Sequence, residues 1–116
     1  MALLALDNKI TAGADAKCQD MSVNFYYDHK NPNTGKHGYT YVEEYFGAYA
    51  NVAENLNRGD YTTADAVVDS WVRSPGHFHT MINPKYTHTG IAVCEVKQSL
   101  DGKVRPTVVQ HFVKPI

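Results

Sequence analysis

A chain of 116 residues, 43% hydrophobic and 20% charged, is long enough for one domain with one core. Its formal charge of -1, with basic residues scattered along the chain, gives no field that would draw it to nucleic acid or to an anionic membrane. No apolar run approaches the roughly 20 residues of a membrane span. The opening Met-Ala-Leu-Leu-Ala-Leu is too short for a signal-peptide core, and no basic residue precedes it.

From Ile10 to Val23, the apolar residues Ile10, Ala14, Cys18 and Met21 recur at helical spacing and predict one buried helix face, with Gly13 as a weakness. Phe25-Tyr26-Tyr27 then leads into Asp28-His29-Lys30-Asn31-Pro32-Asn33-Thr34-Gly35, a loop by composition. Tyr41, Val42, Tyr45, Phe46 and Tyr49 predict a short aromatic helix over Tyr39 to Tyr49. Glu54 sits in Val52-Ala53-Glu54-Asn55-Leu56. A charged residue in so apolar a stretch is either the polar face of a strand or a group kept for chemistry.

Thr62 to Val72 carries the clearest amphipathic pattern. Ala64, Val67, Val68, Trp71 and Val72 form a stripe opposite Asp65, Asp69 and Arg73, and Thr62 or Thr63 can cap the first turn. Trp71 is therefore expected in the core. Pro75 should end this helix at Ser74, and Pro75-Gly76 should turn the chain sharply and hold His77 by local geometry. Thr89 to Val96 and Val104 to Val113 are rich in β-branched residues and read as a hairpin with Asp101-Gly102 in its connection. Pro106 is expected at an edge or at a local break in the ladder. Helices first and a hairpin last predict an α+β layered domain, residues 1–116, rather than a doubly wound one.

Cys18 and Cys94 are too few for a disulfide scaffold and form no C-x-x-C motif. A long-range disulfide and two buried thiols both remain open, with composition slightly favouring thiols. Six histidines are unusual for this length: His29, His37, His77, His79, His88 and His111. No pair stands at the i, i+4 spacing of a zincin helix, so spacing alone assigns no metal site.

Several motifs occur together in one order. They are Ala53-Glu54-Asn55-Leu56, Ala66-Val67-Val68 with Trp71, Ser74-Pro75-Gly76-His77-Phe78, Asn83-Pro84-Lys85-Tyr86-Thr87 before Gly90-Ile91-Ala92-Val93, and Val109-Gln110-His111-Phe112. In that order they resemble the bacterial branch of the CAP superfamily, which includes cysteine-rich secretory, antigen 5 and pathogenesis-related 1 proteins. The resemblance implies a three-layer α/β/α sandwich about a central antiparallel sheet and an extracellular or cell-surface setting. It also implies a groove in which His29 and His77 hold a divalent metal, often zinc, with Glu54 as the first acid. Ser74 stands where the family's second acid usually sits, and Asn55 lies beside Glu54 in the groove.

Two departures accompany the match. Met1 falls roughly where the family's opening helix has already ended, and the animal signature strand with paired cysteines is absent, so the resemblance assigns Cys94 no family disulfide. Apolar surface left by the missing helix would favour a homodimer or exchange of elements. Three functions compete. One is a binding module for a metal, a small lipid or a cell-wall ligand. The second is a metal-assisted hydrolase with Glu54 as general base, for which the usual third protein ligand to catalytic zinc is not evident. The last is a scaffold whose groove residues only hydrogen-bond one another.

Overall fold

The computed structural model describes residues 4–58, 63–97 and 104–116. The expected Asp101-Gly102 connection and a Thr62 cap lie outside the described residues. Among the described residues eight elements follow in order: β1 (Ala5–Leu6), α1 (Asn8–Val23), α2 (Gly38–Tyr45), β2 (Tyr49–Arg58), α3 (Ala64–Val72), α4 (Pro75–Ile82), β3 (His88–Lys97) and β4 (Val104–Pro115).

Asp7 starts α1 by accepting hydrogen bonds from the amides of Lys9 (2.8 Å) and Ile10 (3.1 Å), which answers donors the first turn cannot satisfy itself. The helix buries the expected face, Ile10, Ala14, Cys18 and Met21, and with it Lys17. At its other end Phe25 takes a left-handed φ of 54°, while the amide of Tyr26 bonds back to the carbonyl of Met21. That is a Schellman stop, with phenylalanine where glycine is usual. α2 is shorter than the aromatic periodicity predicts. Gly47, at φ 119°, turns the chain out of the helix, and Tyr49 already belongs to β2.

The strands form one sheet in the order β1-β3-β4-β2. It is antiparallel except for β1, whose two residues pair in parallel with His88 and Thr89. The last strand in sequence is therefore a central strand, flanked by β2 and β3. Pro106 tolerates this place because the β2 partners of β4 end at Thr107 among the described residues, so only β3 is beside it.

Helices cover both faces of the sheet, as the sandwich requires. α1 packs Ala14, Cys18 and Met21 against Leu56, Ala92, Val96 and Val109, while Ile10 and Val42 meet Val113. The approach is so close that a Cβ on Gly90 would collide with the backbone of Ile10 and Thr11. On the opposite face Trp71 is 3% exposed, and its indole N–H donates to the Leu56 carbonyl at 3.1 Å. The expectation of a core tryptophan holds.

Two local readings need correction. Pro75 does not merely turn the chain: it is the first residue of α4, with Ser74 as the capping position. Proline suits that place because the first helical amide needs no partner, so the residue that ends α3 also opens the next helix. The cysteines are not free thiols. Cys18 of α1 is disulfide-bonded to Cys94 of β3 across a separation of 76 residues, with the Cα atoms 6.0 Å apart. Composition could not register that helical spacing and strand alternation turn both residues into one interface.

Candidate functional site: a carboxylate between two imidazoles

Strand alternation sets the site. Glu54 and its cross-strand partner His111 point to the layer of α1 and α2, whereas Asn55, one residue on, points to the layer of α3 and α4. Glu54 is nearly buried, its side chain 8% exposed, and both oxygens are engaged. Oε1 accepts from His29 Nδ1 at 2.7 Å, and Oε2 accepts from His111 Nε2 at 2.7 Å. The first residue of α2 has to be glycine here, since a Cβ on Gly38 would fall on the carboxylate.

His29 reaches Glu54 from the loop after α1, and that loop is held from beneath. The amide of Gly38 donates to the His29 carbonyl at 2.9 Å, and so does Lys17 Nζ, also at 2.9 Å. Lys17 is fully buried, with its ammonium 3.1 Å from the Tyr26 hydroxyl. The Tyr26 hydroxyl in turn donates to Asp20 at 2.5 Å, and the Asn31 amide donates to the same Asp20 oxygen at 3.0 Å. A polar chain under the loop thus fixes where the His29 backbone lies.

Electrostatics follow from these contacts. Burial pushes the Glu54 carboxyl upward, but the bonds from His111 and His29 outweigh it and hold the group below its ordinary 4.5. The bond to Glu54 raises His29 above 6.5 against the opposing effect of burial. Burial lowers the Lys17 ammonium, with Glu54, Asp20 and Asp28 opposing. Glu54 engages His29 only through Nδ1, and the ring lines a cleft of about 170 Å³ that also touches His37, Tyr39, Val52 and Ala53. The His29 side chain is 57% exposed there.

Of the expected groove residues, the structure joins His29 directly to Glu54. His77 stands apart from that pair: its Nδ1 lies 2.8 Å from Ser74 Oγ, its ring is parallel to Trp71 with centroids 6.4 Å apart, and its carbonyl accepts from Asn55 at 3.3 Å. Ser74 and Asn55 thus serve His77 on one face of β2, while Glu54 serves His29 on the other. The second imidazole on Glu54 is His111. Its signal is present in the sequence, because Val109, His111 and Val113 alternate onto one strand face and a histidine between two valines in a sheet core needs a partner. His111 Nδ1 has no hydrogen-bond partner among the described residues although it is fully buried.

The family model described as the cysteine-rich secretory protein family, CAP, matches residues 1–112. The chain belongs to the CAP family. The uncharacterized protein YkwD of Bacillus subtilis is 33% identical over 92 residues, which cover 79% of this chain and 35% of that protein; the chain thus spans about a third of that relative's length. An outer surface protein of Borrelia burgdorferi superposes with a TM-score of 0.79 at 21% identity, covering 100% of this chain and 80% of that one. An extracellular SCP-domain protein of Bacillus anthracis does so with a TM-score of 0.77 at 22% identity, covering 98% and 34%. At these identities the two structures establish the fold of the CAP domain. Among the described residues no helix is long and apolar enough to cross a membrane.

Proposed function

We propose that this CAP domain is an extracellular binding module that takes a small apolar ligand, of the single-acyl-chain class, on the outer face of its sheet. The observation that carries this reading is a cavity of about 590 Å³ beneath α3 and α4, lined chiefly by Val67, Val68, Trp71, Met81, Ile91 and Val93. Its size falls in the roughly 300–1,000 Å³ range of small-molecule sites, and its lining is apolar except for Gln110 and Thr63. The setting is supported by the Cys18–Cys94 disulfide, which belongs to an oxidising compartment. The two structural relatives, an outer surface protein and an extracellular protein, support it as well.

The metal reading fits the residues less well. His29 meets Glu54 on one face of β2 while His77 meets Asn55 and Ser74 on the other, and no group of three His, Cys, Asp or Glu side chains among the described residues forms a ligand set. A four-ligand zinc centre does not fit them. The hydrolase reading meets a related difficulty, because Glu54 is nearly buried and each of its oxygens already accepts from an imidazole.

The chain's single tryptophan lies in the cavity wall, so its emission reports on occupancy. Titration with palmitate is expected to change Trp71 fluorescence saturably. Val68→Glu, which places a charge on a half-exposed wall position, is expected to weaken binding at least about tenfold. An unchanged spectrum up to the critical micelle concentration, or equal affinity in Val68→Glu, rules the cavity out as the ligand site.

A further inference from the structure

Among the described residues, one edge of the sheet is left open in mid-strand. β1 covers β3 only at His88 and Thr89, where the amides of Ala5 and Asp7 donate to the carbonyls of Thr87 and Thr89 at 2.9 Å; the chain then departs into α1. These bonds fix which backbone groups face outward. Within β3 the odd-numbered residues present N–H and C=O to this edge, and the even-numbered residues present theirs to β4. The odd series continues through Ile91, Val93 and Glu95. Ser22 Oγ closes its far end by donating to the Glu95 carbonyl at 2.7 Å. Between Thr89 and Glu95, no described residue takes the outward N–H and C=O of Ile91 and Val93. Their side chains are 42% and 65% exposed.

A sheet edge with unpaired amides and exposed β-branched side chains is a template for strand addition, and natural proteins normally blunt such edges. We infer that this edge of β3 pairs antiparallel with the same edge of a second copy, about a twofold axis at Val93. The edge is self-complementary in that register. Val93 exchanges both backbone bonds with the partner's Val93, and the Glu95 amide meets the carbonyl opposite it, for about four new backbone bonds in all. The two Glu95 carboxylates are kept apart, because each lies across from Ile91 rather than from its own copy. A net charge of -1 adds little repulsion between copies.

The flanking surface agrees with this occupant. Val68 of α3, Ile91 and Val93, which also line the cavity, leave apolar surface beside the edge, with exposures from 42% to 65%. They leave a few hundred Å² of apolar area per copy. Doubled across the axis and joined to the strand backbones, that approaches the roughly 1,000 Å² at which specific interfaces begin, so the dimer should be weak and dependent on concentration.

Sedimentation equilibrium on lipid-free protein tests this independently of the cavity. From low micromolar to near-millimolar chain, the average mass should rise from that of one copy toward two. Amide exchange supplies the decisive second reading: the Ile91 and Val93 amides should slow with concentration while those of Ala92 and Cys94, already paired to β4, stay unchanged. Val93→Lys should hold the chain monomeric. Val23→Lys, the same change at a 69% exposed valine near the end of α1, should leave the dimer intact. A constant monomer mass overturns the inference and leaves the edge to an extended segment of another protein. A dimer whose Ile91 and Val93 amides do not slow, or one that survives Val93→Lys, overturns it too.

Discussion

Glu54 shows how far a side chain's neighbours can redirect it. A carboxylate inside an apolar strand invites the role of general base, and here each of its oxygens also accepts from an imidazole and fixes that ring's orientation. One interaction governs two titrations, and the signs can be worked out. His29 is raised above 6.5, so its contribution is complete below that value and is lost as pH climbs through the folded pKa. Glu54 is lowered beneath 4.5, so its contribution is complete above that value and is lost as pH falls through the folded pKa. The bond therefore stabilises most between 4.5 and 6.5. In Glu54→Gln the His29 ring proton resonance should titrate at a lower pH than in the parent chain, read by NMR. The difference in urea midpoint between pH 5.5 and pH 8.5 should shrink as well. A His29 titration unmoved by Glu54→Gln would show that the ion pair does not hold the ring.

Among the elements, those with a strong period are readable in advance and those set by neighbours are not. The buried face of α1 and both strands of the hairpin follow directly from apolar spacing; of the expected α3 stripe, Val67 and Trp71 are buried while Val68 and Val72 stay exposed. The end of α2 is misjudged because Tyr49 continues the helical pattern while serving a strand. α4 is missed because proline reads as a breaker, although at a first helical position it is an initiator. In the site, His29 is legible only through the motif resemblance, whereas Glu54 already stands out as a charge in an apolar stretch. His111 is legible from alternation alone, once β2 is known to lie beside β4. The stop of α1 carries its own prediction. Phe25 spends a left-handed backbone conformation on a side chain that is 55% exposed, which in a non-glycine residue costs about 1 kcal/mol. Phe25→Gly should raise stability by roughly 0.5–1 kcal/mol in urea unfolding, because glycine enters that region without strain. A loss of stability would mean that the ring's remaining contacts outweigh the backbone strain.

At the scale of the molecule, the disulfide joins α1 to β3, and thus one helical layer to the sheet. By closing a loop of 76 residues it restricts the unfolded chain, an effect of about 4 kcal/mol in the chain-entropy picture. Paired replacement, Cys18→Ala with Cys94→Ala, should therefore lower stability by several kcal/mol and the melting temperature markedly, measured by calorimetry. Equal melting temperatures would mean that the two sulfurs contribute nothing beyond packing. The polar chain under the 28–38 loop belongs to the same layer, so loosening α1 should also release His29 from Glu54.

The position of β4 governs the order in which the molecule can be made. A ribosome delivers β2 first and β3 later, yet these two strands do not pair with each other; both pair with the strand between them, which is the last of the three to emerge. Until the segment 104–115 is out, α1 and α2 have half a floor to pack on, and the Cys18–Cys94 bond can join only α1 and β3. Nascent chains halted before residue 104 should therefore remain open to proteases along β2. Protection should arrive in a single step when the final strand slides into the gap, so that the sheet is completed from its middle and not from its edges.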